Sequence, residues 1–398
     1  MNGFVLLSLA LALSNSLDIF TDIVAIVKGG ASPVQIGVYN ALSYVVFIAG
    51  LFFGGRLGDK GVIRLQTILF AVALVGYSVS LQLFTQSRLL NALIVMYVTY
   101  SLAQAFATTS LTAYIHEHYP SYDWHRLLNL RHILIRVVEV FFLLFLSINS
   151  QVVLENPTGF ILVSLLFTTC IVLVTRDPPV RFERILYNIE SNISKITRLT
   201  TTSLFVFELL RGDHRVLLSP RVKWYMTINK AKSLTSVLFA LFMFRFANSL
   251  MLTQLPVYLS RSLNIRGSDI LVIYAIARLY LLAIYGLTSG KRLSPTTLIL
   301  ARAATSTLLV VFAKGLGDFA ISLLLGLIIY FNGLADVVLY TMYTELQGKA
   351  RATAYMLVGE IAGFLGTVTS GLMYSIVGYE GVVYSTTLLI GISILPLL

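Results

Sequence analysis

Charged residues and cysteines are scarce in this sequence. Only 12% of its 398 residues are charged, whereas a soluble domain carries about a quarter, and 57% are hydrophobic. Cys170 is the single cysteine and lies in an apolar run, which excludes an internal disulfide and a site with several thiolate ligands. We expect it to pack between helices. These shortages exclude an ordinary soluble domain and indicate a protein that lies in lipid.

Two sequence signatures are also absent. No G-x-x-x-x-G-K-[ST] string occurs, which excludes ATP as the energy source within this chain. No basic region precedes the first apolar run, and Asp18 and Asp22 fall where a signal-peptide cleavage zone needs small neutral residues. We therefore expect this run to remain as a membrane span.

Apolar runs of about twenty residues, the length that crosses the hydrocarbon core of a bilayer, recur along the whole chain. They predict an all-α polytopic membrane protein with twelve transmembrane helices. The expected spans are 4–27, 34–56, 63–84, 90–114, 127–149, 159–175, 233–259, 269–289, 296–313, 316–340, 352–377 and 381–398.

The distribution of basic residues predicts how these spans are oriented. With both termini in the cytoplasm, the inner loops hold twenty lysines and arginines and the outer loops hold five. The net charge of +11 therefore reflects topology and excludes a nucleic-acid partner. We expect a multi-pass, monomeric protein of the plasma membrane, surrounded by the lipid bilayer.

One long connection divides the spans six and six, which indicates two pseudo-symmetric six-helix bundles. The expected units are an N-terminal bundle at 1–175, a cytoplasmic loop at 176–232 and a C-terminal bundle at 233–398. A weak repeat supports a duplication, because Asn-Ser-Leu occurs at 15–17 in the first span and at 248–250 in the seventh. Helical spacing of apolar residues in the loop predicts an amphipathic helix, which either lies on the membrane surface or binds a regulatory partner.

The short loop between the second and third spans carries a motif. The stretch "GRLGDK" at 55–60 resembles the signature loop of the major facilitator superfamily, commonly G-x-L-A-D-[RK]-x-G-[RK]-[RK]. Beyond this stretch the pattern departs: Gly61 comes one place early and the first terminal basic residue is replaced, while Arg64 keeps the second. The resemblance implies a twelve-helix secondary transporter in which Asp59, with Arg64, locks the cytoplasmic side.

The loops after the fourth and tenth spans also resemble motifs of this family. Glu117 and Arg126 flank a proline in the first loop, and 345–351 is the counterpart in the second. Two departures argue against a standard drug–proton antiporter. The family motif of the fourth span has an arginine three residues before a glutamine, and here Ser101 takes that position before Gln104. The fifth span also lacks the Gly-Pro motif of those antiporters. The lock implied by the resemblance comprises Gly55, Gly58, Asp59, Lys60, Arg64, Arg126, Glu345 and Arg351.

Ionisable residues inside the spans are costly, at least about 2.5 to 3.5 kcal/mol each, and are therefore candidates for function. Asp18 and Asp22 share one helical face, and two carboxylates so close in a dry cavity cannot both ionise cheaply. One is expected to carry a proton. Asp18 is the better candidate, because it lies nearer the membrane midplane than Asp22. Asp22 fits equally well as a solvated acid near Lys28. The full set of candidate substrate and proton-coupling residues is Asp18, Asp22, Arg245, Gln104, Asn332, Asp336, Asn15 and Asn248.

The arginine of the seventh span has two interpretations. Arg245 lies near the middle of this span, where a guanidinium can bind a substrate carboxylate or phosphate, or pair with Asp18 across the interface of the bundles. In the tenth span, Asn332 and Asp336 are four residues apart and form a polar stripe, which in lipid usually faces protein or water.

The remaining charges are expected to be structural. Arg136 and Glu139 are three residues apart and can neutralise each other. Arg278 and Glu360 are expected to pair within the C-terminal bundle, and Arg302 is expected to snorkel toward neighbouring polar groups.

These features predict a secondary active transporter that moves a small solute by alternating access, coupled to protons, with no cofactor and no enzymatic activity. Arg245 favours an anion or zwitterion as substrate, whereas Asp18 and Asp22 suit a cation equally well. Two alternatives stay open. One is a non-transporting sensor on the same fold, with the central loop as its output. The other is a membrane-embedded enzyme that uses the histidines and acids between 116 and 125.

Overall fold

The computed structural model describes residues 2–59, 61–87, 90–119, 124–155, 157–177, 234–288, 294–315, 317–347 and 352–397. Every regular element within these ranges is helical, which confirms the all-α class. The central loop and its predicted amphipathic helix lie outside the described residues, apart from 176–177.

Seven helices precede the central loop: α1 (Asn2–Val27), α2 (Pro33–Asp59), α3 (Ile63–Ser87), α4 (Leu90–His118), α5 (Trp124–Ile148), α6 (Ser150–Glu155) and α7 (Thr158–Val174). Six follow it: α8 (Leu234–Leu252), α9 (Leu255–Arg261), α10 (Gly267–Thr288), α11 (Pro295–Phe312), α12 (Asp318–Gln347) and α13 (Ala352–Ile394).

These helices correspond to the twelve predicted spans. Helix α6 is too short to cross a bilayer, and α8 with α9 accounts for the one span predicted at 233–259. Helix α13 accounts for two spans, because Gly378 has a φ of 70° and interrupts the helical backbone. The predicted boundary between the last two spans falls at this glycine.

The outer surface of the helices is apolar, as lipid requires. Among the described residues, eight helical segments are long and apolar enough to cross a membrane. Large hydrophobic side chains face outward on several of them, such as Leu166 at 69% and Ile376 at 80% exposure. Cys170 is also exposed on this surface, so the expectation that it packs between helices is wrong.

The loop between α2 and α3 has a defined helix-capping geometry. The N–H of Gly61 donates to the carbonyl of Gly58 at 2.8 Å, and the N–H of Val62 donates to the carbonyl of Leu57 at 3.0 Å. This pair of hydrogen bonds is a Schellman motif, which needs a left-handed residue just beyond the helix. Gly61 has a φ of 68°, so the position of this glycine follows from the turn.

The two halves of the chain meet at one end of the bundle, which we call the closed end. Arg261 on α9 donates from Nη2 to the carbonyl oxygen of Ala31 at 2.6 Å. Gln254 donates from Nε2 to the carbonyl oxygen of Pro33 at 3.1 Å. Both acceptors lie in the α1–α2 connection or at the start of α2, so the second half closes over the first half here.

Helices α2 and α13 also cross closely at the closed end. A Cβ atom at Gly37 would lie 3.0 Å from the carbonyl oxygen of Thr367. A Cβ atom at Gly371 would lie 2.6 Å from the carbonyl oxygen of Pro33 and 2.7 Å from the Cα of Val34. Because these neighbours are backbone atoms, they cannot rotate away, and the crossing requires glycine.

Candidate functional site

A cavity of about 540 Å³ lies midway along the helices, between the two halves of the chain. Its wall includes side chains from α1, α2, α4, α5, α8, α10, α12 and α13. Seven of the eight predicted substrate and proton-coupling residues line it, namely Asp18, Asp22, Gln104, Arg245, Asn248, Asn332 and Asp336.

The cavity is accessible from the end opposite the closed end. Asp22, one turn nearer the closed end than Asp18, is only 7% exposed. The side chain of Arg245, near the middle of its span, is 41% exposed, and that of Asp336 is 30% exposed. Exposure therefore increases with distance from the closed end.

The acids of α1 form one wall of the cavity. Asp22 accepts hydrogen bonds at the same oxygen, Oδ1, from the Tyr97 hydroxyl at 2.6 Å and from the Asn40 amide at 2.8 Å. Asp18 lies one turn away, beside Tyr100. In the part of the chain that the structure describes, neither carboxylate is in an ion pair. The interpretation of Asp22 as a solvated acid near Lys28 is wrong, because Asp22 is buried.

The acid of α12 is neutralised by the arginine of α8. The Nε and Nη2 atoms of Arg245 donate to Oδ1 and Oδ2 of Asp336 at 3.1 and 2.6 Å. The Tyr355 hydroxyl donates to Oδ1 of the same carboxylate at 3.0 Å. The predicted pairing of Arg245 with Asp18 does not occur in this structure, because a bidentate partner on the neighbouring helix holds the guanidinium.

Glu139 on α5 joins the two halves of the chain inside the membrane. Its Oε2 accepts from Nη1 of Arg136 at 2.7 Å and lies 3.4 Å from Nε of Arg278 on α10. Its Oε1 accepts from the Asn15 amide at 2.6 Å. The predicted neutralisation of Arg136 by Glu139 is confirmed, but the predicted pair of Arg278 with Glu360 is wrong. Glu139 is only 1% exposed, and the sequence did not single it out because its local partner seemed sufficient.

Asn15 belongs to this network and is not part of the cavity wall. The Gln104 amide donates to its Oδ1 at 2.8 Å while its own amide donates to Glu139. Both hydrogen bonds hold the asparagine behind the wall. Asn15 therefore positions Glu139, whereas Gln104 both supports Asn15 and lines the cavity.

Arg302 on α11 is fully buried, so the expectation that it snorkels is wrong. Its Nε donates to Oδ1 of Asn332 at 2.6 Å, and its Nη2 contacts the sulfur of Met251 at 3.6 Å. Its Nη1 has no hydrogen-bond partner among the described residues. Because Asn332 accepts from Arg302 with its oxygen, it has its amide hydrogens left to offer to the cavity.

Leucine in place of Asn332 is expected to destabilise the protein by about 1 to 3 kcal/mol, because the buried guanidinium loses its best acceptor. Adding Arg302→Met should recover part of this loss, since the unpaired charge is then gone. Thermal unfolding of the purified protein measures both effects, with Asn91→Leu at an exposed position as the control. A double variant less stable than Asn332→Leu alone would contradict the assignment.

The predicted lock residues are only partly described. Gly58 packs near Gln66 and Ala113, whereas a Cβ atom added at Gly55 would meet none of the described atoms of other segments within 4 Å. The backbone N–H of Arg64 donates to Asp177 at 2.8 Å, which ties the start of α3 to the segment after α7. Lys60 and Arg351, and the side chains of Asp59, Arg126 and Glu345, lie outside the described part of the structure.

The cluster that favoured an enzyme finds little support in the described residues. His118 is exposed and stacks on Tyr114 at a ring-centroid distance of 4.1 Å. Within the described ranges no three His, Cys, Asp or Glu residues converge as metal ligands would. Asp123 and the side chains of His116 and His125 are not among the parts of the chain that the structure describes.

Comparison with solved structures shows the fold. The chain is similar to a bacterial homologue of the human lysosomal transporter Spinster in an inward-facing, unoccupied conformation, with 15% identity, a TM-score of 0.63 and coverage of 98% of this chain and 94% of that chain. It is similar to the nucleoside transporter NupG, with 14% identity, a TM-score of 0.60 and coverage of 100% and 97%. A peptide transporter POT in complex with alafosfalin gives 10% identity, a TM-score of 0.64 and coverage of 98% and 93%.

Comparison of sequences shows the family. No curated protein matches the chain significantly. The family model described as Major Facilitator Superfamily matches residues 2–371. This range covers the first ten predicted spans completely and most of the eleventh. Since this match agrees with the twelve-helix fold and with the motif at 55–60, the chain belongs to the Major Facilitator Superfamily of membrane transporters.

Proposed function

We propose that this protein is a secondary active transporter that moves a small solute by alternating access and couples this movement to protons. Its moving units are the bundles at 1–175 and 233–398, which rock about the cavity while the loop at 176–232 connects them. The protein acts as a monomer in the plasma membrane with both termini in the cytoplasm. In that orientation the closed end faces outward, and the cavity of this structure is open to the cytoplasm.

The observation that carries proton coupling is the pair of acids on α1. Asp22 is almost fully buried and Asp18 lies one turn away, and no ion pair neutralises either of them among the described side chains. Two adjacent carboxylates without a cation repel each other, so the pair holds one proton at neutral pH. Because the cavity reaches both acids, this proton can exchange with whichever side the cavity faces.

The other polar residues of the cavity are assigned to solute contact. Gln104, Asn248 and Asn332 offer amide groups to the cavity, and Arg245 with Asp336 forms its charged wall on the second half. When the closed end opens, the lock around Asp59 that the family resemblance implies is proposed to hold the cytoplasmic side shut.

Asparagine in place of Asp22 is expected to abolish accumulation driven by a pH gradient while solute exchange without a gradient continues. The reason is that an amide keeps the shape and hydrogen-bonding capacity of the carboxyl group but cannot release a proton. The experiment is a solute screen in proteoliposomes with an imposed pH gradient, followed by exchange of the same solute at equal pH. Asp18→Asn is expected to behave in the same way.

The matched control is Asp318→Asn, since Asp318 is an exposed acid at the start of α12, away from the cavity. It should accumulate solute as the parent does. If Asp18→Asn and Asp22→Asn both accumulate solute along a pH gradient as well as the parent does, the assignment of proton coupling to this pair is wrong. If the parent moves no solute while the loop at 176–232 binds a soluble partner, the sensor interpretation is favoured instead.

A further inference from the structure

Each arginine that lines the cavity already lies in an ion pair with a protein carboxylate. Arg245 makes a bidentate ion pair with Asp336, and Arg136 and Arg278 share Glu139 at 2.7 and 3.4 Å. An anionic solute would have to compete with these carboxylates for each guanidinium. Breaking either set of pairs leaves a charge without its partner, which is most costly at Glu139, only 1% exposed.

Three carboxylates of the cavity wall have no such partner. Asp18, Asp22 and Glu360 line the cavity, and none of them is in an ion pair among the side chains that the structure describes. Both hydrogen bonds that Asp22 receives end on Oδ1, so its second oxygen accepts none from the described residues. With one proton on the α1 pair, the four acids of the wall and Glu139 together still exceed the three arginines of the wall by one negative charge.

Aromatic rings complete this environment. Tyr44, Phe47, Tyr100, Phe244 and Tyr274 line the same cavity as the unpaired acids. Aromatic faces attract cations through the ring quadrupole, most strongly where water is excluded. They also provide apolar contact for the body of an organic solute.

We infer that the solute is an organic cation, such as an amine, a quaternary ammonium ion or a guanidine. Its positive group binds among Asp18, Asp22 and Glu360, and its apolar part packs on the aromatic rings. This inference rests on the proposed function, since it names the solute of the same cavity. It replaces the earlier expectation of an anion at Arg245, because Asp336 occupies that guanidinium.

The charge of the cavity can be measured without knowing the solute. In a Cys170→Ser background, Ser249→Cys places one thiol on the cavity wall. Its reaction rates with a trimethylammonium-ethyl and a sulfonato-ethyl methanethiosulfonate are compared, each relative to the rate with 2-mercaptoethanol. We expect the cationic reagent to react at least about tenfold faster, because carboxylates without an ion-pair partner give a cleft with low-dielectric walls a negative potential.

Charge-neutralising variants identify the source of this preference. Asp18→Asn and Glu360→Gln should each lower the ratio of rates, and Arg136→Gln should raise it, while Asp318→Asn leaves it unchanged. A ratio of one or less overturns the inference. That result would still be compatible with proton-coupled transport of a solute that is not a cation. The experiment therefore tests the charge of the solute separately from the proposed transport function.

Binding is tested with matched triplets of one carbon skeleton, beginning with phenethylamine, phenylacetate and 2-phenylethanol. Stabilisation against thermal unfolding should be confined to the ammonium members and should be lost in Glu360→Gln, whose carboxylate has no assigned part in proton coupling. Stabilisation by carboxylate or alcohol members, or by no member of the panel, would also overturn the inference.

Discussion

Alanine at position 371 is expected to open the closed end of the protein. Its Cβ would lie 2.6 Å from the carbonyl oxygen of Pro33 and 2.7 Å from the Cα of Val34, and both atoms belong to the backbone of the other half. Overpacking of this kind costs about 1 to 3 kcal/mol. If the cost falls on the closed state alone, the population ratio of closed to open molecules drops about fivefold to a hundredfold.

The distance between two spin labels measures this shift. Lys28 and Ser262 are exposed on the two sides of the closed end and can carry the labels in a Cys170→Ser background. The Gly371→Ala variant should populate longer distances than the parent. Gly391→Ala is the matched control, because it lies in the same helix and a Cβ there meets no atom within 4 Å. An unchanged distance distribution in Gly371→Ala would show that this crossing does not control opening.

Glutamine in place of Glu139 is expected to destabilise the protein more than any other single substitution in the cavity region. One carboxylate serves two guanidiniums, and its removal leaves Arg278, whose side chain is 16% exposed, without an anion. Removing one partner of a buried ion pair costs about 3 to 5 kcal/mol. Equilibrium unfolding of the purified protein in sodium dodecyl sulfate measures the loss.

A double-mutant cycle shows whether the effect arises from the bridge between the halves. Glu139→Gln combined with Arg278→Gln should cost less than the two single losses added together, because the second substitution removes the stranded charge. Glu155→Gln, at an exposed position in α6, should leave stability unchanged. Additive losses would mean that Arg278 and Glu139 act independently.

The membrane spans could be predicted closely from the sequence. Helix α10 was expected at 269–289 and is Gly267–Thr288, and the break between the last two spans falls at Gly378. The reason is that insertion into lipid depends on the hydrophobicity summed along a local stretch of chain. The short interruption between α8 and α9 was not predicted, because the apolar run continues through it.

Ion pairs within one helix could also be predicted, whereas pairs between helices could not. Arg136 and Glu139 are three residues apart, and helical geometry alone brings them together. Arg278 was expected to pair with Glu360 and instead reaches Glu139, a residue of the other half of the chain. Helices that are distant in sequence can rotate and slide against each other, so the sequence contains no direct measure of which charges meet.

Local stretches of the sequence are enough to predict that the chain is helical, that it crosses the membrane twelve times, and which charged residues lie within the spans. Each of these properties depends on composition and periodicity over a short stretch. The positions of distant helices are needed to show that Arg245 is paired with Asp336 and that Asp18 and Asp22 face the cavity with no ion pair among the described residues. That distinction depends on how distant helices are placed against each other, because a direct ion pair forms only where helix packing brings its two groups within about 4 Å.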